Sequence, residues 1–470
     1  MSTANRRRPS LLVSLTPLIT LAVLLGVGYG LLRLRIEILL IAAAAVAGIL
    51  ALRLGYTYKD LEAGMLESLM KGMPAMLIVI VVGALIGSWI AAGVIPMLIF
   101  YGLKIISPQY FLLTACVVCS VVSVVTGTSY GTAGTIGVAF MGIAQGLGIP
   151  LGQAAGAIVA GAYFGDKISP FSDTTNLAPI AARSNLFDHI KHTLWTTTPA
   201  WLIGLGVYFF LGLTSQEHQQ VSLEKMSVIL EHLHGAFRFH ILLLLPPSIT
   251  LYGAIRKKPI IPGMLLSAGV AVLLAIVFQG QSLKHAVDVM VHGYQSQIGD
   301  ATVDALLSRG GMLAMMDVTL IAICAFAFGG IVQKAGMLDV ILEHLLTIAR
   351  TTASLITATV ASCLSVALMT GSSFLSILIP GELFAPAYRQ RNLAAKNLSR
   401  TTEDSATVVM PLIPWSIAGV FMSGTLGVAT VEYAPWAVMC YTGIFFALLY
   451  GATGFAIAPR IRDDETIPGS

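Results

Sequence analysis

A run of sixty-one residues without a single Asp, Glu, Lys or Arg extends from Ile105 to Gly165. Such a run is foreign to soluble domains, in which about a quarter of all residues are charged. An apolar helix of about 20 residues crosses the hydrocarbon core of a bilayer, so the run is long enough for about three crossings. In the whole chain 11% of the residues are charged and 56% are hydrophobic. The sequence therefore predicts an all-α polytopic membrane protein.

Further charge-free runs lie on both sides of this one. The long ones are Pro9–Leu32, Gly72–Leu103, His192–Gln216, Pro259–Leu283, Thr351–Gly381, Ser405–Val431 and Tyr433–Pro459. The shorter ones are Ile38–Leu52, His240–Ile255 and Val318–Gln333. Together they predict about ten to thirteen transmembrane helices, and they leave no polar stretch that could fold as a separate soluble domain.

Three arginines, Arg6 to Arg8, precede the first apolar run. The run continues to Leu32 without a small-residue cleavage pattern, so we interpret it as a retained helix rather than a signal peptide. The positive-inside rule then places the N-terminus in the cytoplasm, and it makes the basic cluster Arg256–Lys258 a cytoplasmic loop. Juxtamembrane basic residues of this kind also explain the net charge of +4, so no nucleic-acid partner is expected.

Short motifs recur in the same order in the two halves of the chain. The pairs are Ala92–Ile95 with Ala335–Leu338, Thr126–Ser129 with Thr370–Ser373, and Asp173–Thr174 with Asp404–Ser405, at shifts of 243, 244 and 231 residues. This order indicates an internal duplication. The neighbouring charge clusters place Lys59 in the cytoplasm and Lys284 outside, so the two halves are predicted to be inverted repeats, which put a binding site at the bilayer midplane.

The predicted organisation follows from this duplication. It comprises N-terminal transmembrane helices (1–55), a first repeat (56–213), a linking loop with helices (214–280), a second repeat (281–457) and a C-terminal tail (458–470). Each repeat is predicted to contain two interruptions, a re-entrant hairpin and a broken helix.

The first interruption is a stretch rich in Thr, Ser and Gly within an apolar run. It spans Thr126–Thr135 in the first half and Thr370–Pro380 in the second. Irregular backbone at membrane depth persists only where it is buried in protein or lines a cavity, so both stretches are predicted to be hairpin tips. Tight helix packing through small residues is the alternative. The candidate ion- or substrate-binding residues at these tips are Thr126, Gly127, Thr128, Ser129, Thr370, Gly371, Ser372 and Ser373.

The second interruption is polar, charged and broken by prolines. Pro170 and Pro179 lack N–H groups and disfavour helix in the residues before them, so Ser169–Asn176 is predicted to unwind and free carbonyls for a cation. Hard oxygen ligands such as carboxylates and hydroxyls suit Na⁺. They are supplied in the first half by Ser172, Asp173, Thr174, Thr175 and Asn176, and in the second half, ahead of Pro411, by Thr402, Glu403, Asp404, Ser405 and Thr407. Asp166 and Lys167 either belong to the ion path or pair with each other.

The segment from Gly165 to Pro179, GDKISPFSDTTNLAP, closely resembles the signature segment of the NhaC family of Na⁺/H⁺ antiporters. The resemblance covers most of the chain, from about Tyr56 to Gly454. It implies a multi-pass transporter of the bacterial inner membrane, with two inverted halves and driven by sodium and proton gradients. It also implies cation contacts, which by motif are Asp173, Thr174, Thr175 and Asn176, with Asp404 and Ser405 as their counterparts in the second half.

The predicted function is secondary antiport of Na⁺ against H⁺ by alternating access. The alternative is sodium-coupled carriage or exchange of a small carboxylate, of the malate or lactate type, or of an amino acid, because the family resembled includes carriers of each kind. The sequence contains no Walker motif and no H-E-x-x-H motif, so neither ATP-driven pumping nor zinc proteolysis is expected and the protein is not predicted to be an enzyme. No cofactor is expected beyond Na⁺ and H⁺ as transported or coupling ions. The expected partners are the lipid bilayer, these ions and a small organic solute, with a homodimer left open.

Overall fold

The computed structural model describes residues 6–214, 219–256 and 258–459. Within these ranges the regular structure is helical, and the only β-type pairing is an isolated bridge between Leu393 and Pro459. The all-α prediction is thereby confirmed. Lys257 of the basic cluster and most of the predicted C-terminal tail lie outside the described residues.

Helices follow one another along the described chain. In the N-terminal part and the first half they are α1 (Leu11–Val23), α2 (Ile36–Arg53), α3 (Tyr58–Ala92), α4 (Val94–Ile105), α5 (Phe111–Thr126), α6 (Ser129–Thr132), α7 (Val138–Gly146), α8 (Leu151–Ile168), α9 (Asp173–Ala182) and α10 (Leu186–Thr214). The linking part contains α11 (Gln219–Ala236), α12 (Leu245–Ile255) and α13 (Ile260–Gln279), and the predicted second repeat then begins with α14 (Leu283–His292). The second half also contains α15 (Ala301–Leu307), α16 (Met316–Lys334), α17 (Met337–Ile348), α18 (Thr352–Thr370), α19 (Ser373–Gln390), α20 (Ala395–Ala406), α21 (Ile417–Leu426), α22 (Thr430–Tyr433) and α23 (Val438–Thr453).

Eight helices of the described chain are long and apolar enough to cross a bilayer, and the number rises to eleven if each of three sharply bent pairs counts as one span. The longest is α3, with 35 residues. The bent pairs are α11 with α12, α20 with α21, and α22 with α23, and their bends are 104°, 43° and 57°. The prediction of ten to thirteen spans overlaps this range at ten and eleven.

Small residues let α3 pack closely against the second half. The backbones of α3 and α16 touch where Gly64 faces Gly330, and a Cβ on Gly64 would stand 2.7 Å from the Gly330 carbonyl oxygen. Further along α3, the buried Trp89 donates its indole N–H to the Ser267 hydroxyl over 3.1 Å. Because glycine removes the side chain between two helix backbones, the contact of Gly64 with Gly330 joins α3 directly to the second half, whereas the bond from Trp89 to Ser267 joins it to the linking part.

The order of helices repeats along the chain with a nearly constant shift. The first residues of α6, α8, α9 and α10 are followed 244 residues later by the first residues of α19, α20, α21 and α22. For α3 and α4, the shift to the first residues of α15 and α17 is 243. This register extends the sequence similarities from short motifs to the starts of helices, although several of the paired helices differ in length. The opposite orientation of the two halves remains a prediction.

Each half contains a glycine turn where the sequence predicts a hairpin tip. The turn after α5 is at Gly127 (φ 70°) and the turn after α18 is at Gly371 (φ 64°), both in the left-handed region that glycine enters without a steric penalty. In both halves the next residue, a Thr or a Ser, caps the following helix by accepting a backbone N–H. Each turn lies against the later break of its own half: a Cβ on Gly127 would stand 2.6 Å from the side chain of Phe171, and one on Gly371 would stand 3.3 Å from the carbonyl oxygen of Trp415.

The broken segment of the first half is shorter than predicted. Only Ser169–Ser172 is unwound, and α9 already begins at Asp173. The reason is the Asn176 side-chain amide, which donates to the carbonyl oxygens of Pro170 (2.9 Å) and Ser172 (2.6 Å) and so stabilises the first turn of α9. These carbonyls, predicted to be free for a cation, are therefore occupied, and the later proline is accommodated inside the helix.

The second half breaks later in the chain than predicted. α20 runs without interruption through Thr401–Ala406, and the break follows at 407–416. α20 contains no proline, whereas the break contains two, which end the helix because they cannot donate an N–H. In the 244-residue register the counterpart of Asp173 is Ile417, so the predicted pairing of Asp173 with Asp404 is wrong.

Candidate functional site

The centre of the candidate site is a buried ion pair between the two halves. The Lys167 ammonium at the end of α8 contacts the Asp404 carboxylate on α20, and both side chains have 0% of their surface exposed. Thr196 on α10 donates its hydroxyl to the same Asp404 oxygen over 2.9 Å. Gly443 on α23 lies beside the pair, since a Cβ there would stand 3.9 Å from the Lys167 nitrogen, an ordinary contact distance. Helices of both halves thus meet at one charged contact.

Glu403 lies beside this pair without a hydrogen bond of its own. Its side chain is fully buried, and neither carboxylate oxygen has a hydrogen-bond partner among the described residues. The hydroxyls of Thr174 and Thr407 lie near the carboxylate, and Lys167 attracts it electrostatically. One oxygen of Asp404 also lacks a partner. Because buried polar atoms are almost always hydrogen-bonded, these three carboxylate oxygens are candidate ligands for a transported cation.

Asp166 joins the glycine turn of the first half to the site. It is buried and accepts a hydrogen bond from the Ser129 hydroxyl over 2.7 Å. In addition, Thr175 of α9 donates its hydroxyl to the backbone carbonyls of Asp166 (2.8 Å) and Lys167 (3.1 Å). This hydroxyl satisfies carbonyls that the end of a helix leaves open. Ser129, just after the glycine turn, therefore fixes the side chain of Asp166, and the start of α9 fixes the backbone of both charged residues.

Neighbouring positions on α8 send Asp166 and Lys167 to different partners. Successive residues of a helix do not face each other, so Asp166 reaches Ser129 while Lys167 reaches Asp404. The alternative in which Asp166 and Lys167 pair with each other is therefore wrong. α8 lies deep in the bundle because Gly165 has no side chain, and a Cβ there would overlap the backbone of α5.

A polar contact between α10 and α20 continues the site. His189 Nδ1 lies 2.9 Å from the Ser399 hydroxyl, and His192 Nε2 lies 3.0 Å from the side-chain oxygen of Asn397. Thirteen buried polar side-chain atoms of the described residues have no hydrogen-bond partner, and nine of them belong to α10, to α20 or to Thr407 just after α20. We name this contact of α10 with α20 the α10–α20 seam.

Arg400 of α20 is fully buried in this seam. Its Nη1 donates to the carbonyl oxygen of Ala456 over 2.8 Å, and its guanidinium carbon lies 5.8 Å from the centre of the Tyr450 ring. Its Nε and Nη2 have no hydrogen-bond partner in the part of the chain that the structure describes. Such a side chain is unusual, because arginine is almost never fully buried unless it is paired.

The structure places the predicted first-half ligands at the edge of the charged cluster. Asp173 is exposed in the first turn of α9, although it interacts electrostatically with Asp166. Thr174 is half-buried between Glu403 and Ser172. Its hydroxyl lies 3.2 Å from the hydroxyl of Ser172. Of the first-half set, Thr174 is thus the residue whose hydroxyl lies beside a buried carboxylate of the second half.

The remaining predicted residues serve mainly the backbone. The hydroxyls of Thr370, Thr402 and Ser405 donate to carbonyl oxygens one turn earlier in their own helices. Thr128 and Ser372 cap the helices that follow the glycine turns. Thr126 and Thr407 are buried without a hydrogen-bond partner among the described residues.

Sequence reasoning did not identify Thr196, Arg400 or the two histidines of α10 as parts of the site. On α10, His189, His192 and Thr196 are spaced three or four residues apart, which places them on one face of the helix. A polar face on an otherwise apolar helix indicates a polar partner. The sequence therefore contained a signal for the face, although not for the helix that contacts it.

Comparison with known proteins gives a consistent result. The model of the Na⁺/H⁺ antiporter family matches residues 11–175 and 161–455. The chain is similar to an uncharacterized Na⁺/H⁺ antiporter of Haemophilus influenzae, with 47% identity over 97% of this chain and 99% of the relative. It is also similar to the Na⁺/H⁺ antiporter NhaC of Alkalihalophilus pseudofirmus, with 37% identity over 91% of this chain and 92% of the relative. The malate-2H⁺/Na⁺-lactate antiporter of Bacillus subtilis shares 37% identity, over 90% of each chain.

Proposed function

This chain belongs to the Na⁺/H⁺ antiporter family, and from that premise we propose that it exchanges Na⁺ for H⁺ across the bacterial inner membrane by alternating access. As a member of the family it is a secondary transporter and not an enzyme. The proposal assigns Glu403 and Asp404 as the carboxylates that bind the two ions in turn. Thr174, Thr407 and Lys167 complete the site.

The observation that carries the proposal is an unpaired buried charge. Within the described cluster, three buried carboxylates, Asp166, Glu403 and Asp404, accompany two buried cations, Lys167 and Arg400. With the histidines neutral, one negative charge is left over. An uncompensated charge in the protein interior costs several kcal/mol. One Na⁺ or one H⁺ neutralises this charge. If the site releases one ion on one side of the membrane and binds the other ion on the opposite side, the result is antiport.

The oxygen atoms without partners supply ligands for the sodium state. Both oxygens of Glu403, one of Asp404 and the hydroxyl of Thr407 are buried without hydrogen bonds to described residues. Carboxylates and hydroxyls are the hard donors that suit Na⁺. A proton on Glu403 removes the charge that attracts Na⁺, so the two ions compete for the same side chain.

Lys167 competes with Na⁺ for the carboxylate of Asp404. Its ammonium occupies one oxygen of Asp404, while the other oxygen has no partner in the described chain. A Na⁺ at the free oxygen of Asp404 would lie close to the Lys167 ammonium at the other oxygen. The two positive charges repel each other. Binding of Na⁺ therefore weakens the ion pair that joins α8 to α20.

The position of the ion pair links binding to movement. Lys167 and Thr196 belong to the first half and Asp404 to the second, so the contact changes if the two halves move relative to each other. A ligand shifts a conformational equilibrium only through its different affinity for the two states. An ion bound between the halves meets that requirement, and a site between two repeats is the arrangement that alternating access needs.

Reconstituted vesicles with an acidic interior test the function. Vesicles that contain the protein should accumulate ²²Na⁺, because protons leaving the vesicles drive sodium in, and protein-free vesicles should not. Collapse of the pH gradient with an uncoupler should abolish the accumulation. Uptake that is unaffected by the collapse, or that requires added lactate, malate or an amino acid, would contradict simple antiport.

A further inference from the structure

Arg400 is a buried cation whose hydrogen bonds are incomplete. Its Nη1 is held by the Ala456 carbonyl, whereas Nε and Nη2 have no partner in the described chain. We infer that this open edge of Arg400 binds the carboxylate group of a small organic anion in the α10–α20 seam, beside the cation site. The inference rests on the proposed function, since it places the anion next to the transported Na⁺.

The open edge has the geometry that a carboxylate needs. Nε and Nη2 lie on one side of the planar guanidinium, and such a pair donates two parallel hydrogen bonds to the two oxygens of a carboxylate. The bond from Nη1 to Ala456, 2.8 Å long, fixes the opposite side of the group. The plane of Arg400 is thereby oriented before any ligand arrives, which lowers the entropic cost of binding.

The facing helix offers further hydrogen-bonding groups without partners in the described chain. On α10, the hydroxyls of Thr193 and Thr197 and Nε2 of His189 are buried and have no hydrogen-bond partner among the described residues. These positions lie four residues apart and therefore share one face of α10. His192, on the same part of α10, interacts electrostatically with Arg400. Hydroxyl groups of an organic acid would find hydrogen-bond partners along this face.

The positive charge of Arg400 also offsets the charge of the nearby carboxylates, as the proposed function requires, but this role does not use its open donors. Arg400 and Asp404 are four residues apart on α20 and attract each other electrostatically, yet they form no hydrogen bond. A side chain that served only Asp404 would be expected to point its free donors at the free oxygen of that carboxylate. Both groups instead remain open, which favours a separate ligand for the guanidinium.

A neighbouring sodium ion should strengthen the binding of the anion. The carboxylates of Glu403 and Asp404 lie within about one helical turn of Arg400 along α20, and opposite charges at such distances attract strongly inside a protein. Occupation of the cation site therefore removes a repulsion that an incoming anion would meet. Coupling of this kind is reciprocal, so the anion should also raise the affinity for Na⁺.

Thermal unfolding of the purified protein in detergent tests the inference. We expect acetate, L-lactate or L-malate, added in about 100-fold excess over its Kd, to raise Tm by at least about 2 °C in sodium buffer. The shift should be smaller in choline buffer, because no sodium ion then strengthens the binding. It should be absent for lactamide, which has nearly the shape of lactate but no carboxylate. Because this comparison uses the unmodified protein, it does not depend on the folding of a variant.

Variants then locate the site. Arg400→Gln and Arg400→Lys should lose the shift caused by the effective carboxylate, because neither retains the fork of donors. The matched control is Arg391→Gln, since Arg391, like Arg400, donates to the backbone, in its case to two carbonyls, but lies away from the seam, and this variant should keep the shift. Absence of any carboxylate shift in the unmodified protein, an equal shift with lactamide, or a full shift in Arg400→Gln would overturn the inference. If sodium-proton exchange by the vesicles remains normal in those cases, the proposed function stands without the anion site.

Discussion

The two breaks in the chain end at equivalent positions, before Asp173 and Ile417, but differ in their chemistry. In the first half, Asp166 and Lys167 stand at the end of α8, immediately before the break, and the exposed Asp173 follows it. In the 244-residue register the equivalents of Asp166 and Lys167 are Met410 and Pro411, which bear no charge. The carboxylates of the second half lie earlier, inside α20. The two halves thus share a break in the backbone, but their charged residues lie at different positions relative to it.

This difference shows why a single site needs both halves. The first half supplies the ammonium of Lys167, and the second half supplies its partner Asp404 and the open carboxylate of Glu403. Two complete half-sites would bind ions independently of each other. A shared pair instead makes ion binding depend on how the halves are placed, which is the property that a transporter with two alternating states requires.

The largest difference between the halves should be their orientation. Lys59 and Lys284 are both exposed, and the inverted arrangement predicts that they lie on opposite sides of the membrane. We expect a membrane-impermeant thiol reagent to label Lys59→Cys from the cytoplasmic side only and Lys284→Cys from the outside only. The five native cysteines are buried and should contribute little background. Labelling of both from the same side would show that the repeats are parallel.

Asp404→Asn should abolish exchange, because it removes the partner of a fully buried ammonium. Loss of one member of a buried pair costs roughly 3–5 kcal/mol, and the lower figure corresponds to a rate loss of about 100-fold if it falls on the transport cycle. We expect ²²Na⁺ exchange in vesicles to fall by at least that factor and Tm to decrease.

Two further variants separate the charge from its folding role. Asp188→Asn makes the same chemical change at an exposed position of α10 and should exchange Na⁺ at the normal rate. The double variant Lys167→Gln/Asp404→Asn removes both charges and should regain Tm without regaining exchange. Near-normal exchange in Asp404→Asn would move the cation site away from the ion pair.

Glu403→Gln should remove most of the pH dependence of sodium binding. In the unmodified protein, the apparent affinity for Na⁺ should fall as the pH decreases, because a proton on the site cancels the charge that attracts the ion. Glutamine cannot be protonated in this range, so the affinity of Glu403→Gln should be nearly independent of pH and weaker by about tenfold, which corresponds to roughly 1.4 kcal/mol. Initial rates of ²²Na⁺ uptake at several pH values measure both properties. Glu382→Gln, an exposed change on α19, should behave like the unmodified protein, whereas full pH dependence in Glu403→Gln would exclude Glu403 as the shared site.

The fold could be predicted from the sequence to the extent that it is encoded locally. Charge-free runs fix the class and approximate number of spans, and glycine and proline mark the turns at Gly127 and Gly371 and the two breaks. The exact ends of the breaks could not be predicted. The helix α9 starts early because the Asn176 side chain binds carbonyls four and six residues before it, a contact that no local preference reveals.

The site was less predictable because its contacts join distant parts of the chain. Lys167 and Asp404 are 237 residues apart, and Thr196 and Asp404 are 208 apart. The motif similarity between Asp173–Thr174 and Asp404–Ser405 also suggested an equivalence at a shift of 231, whereas the helices repeat at 243 or 244. Sequence reasoning therefore found the acidic residues of α20 but paired them with the wrong segment.

The smallest effect is expected at Asp173, the residue to which the sequence motif pointed first. A direct ligand should be indispensable, and on that hypothesis Asp173→Asn abolishes sodium transport. The geometry supports a different role, because Asp173 is exposed in the first turn of α9 and only interacts at a distance with Asp166. An exposed carboxylate raises the local concentration of cations, and this attraction is screened by salt. We therefore expect Asp173→Asn to raise the apparent KM for Na⁺ by about two- to fivefold at low ionic strength, equivalent to roughly 0.4–1 kcal/mol for an exposed charge.

The maximal rate of Asp173→Asn should be unchanged, and the difference in KM should disappear at high ionic strength. The control variant Asp188→Asn should show no effect at either ionic strength. Asparagine suits a helix start nearly as well as aspartate, so folding should not obscure the result. Complete loss of ²²Na⁺ exchange in Asp173→Asn would restore Asp173 as a direct ligand and place the sodium site at the first break.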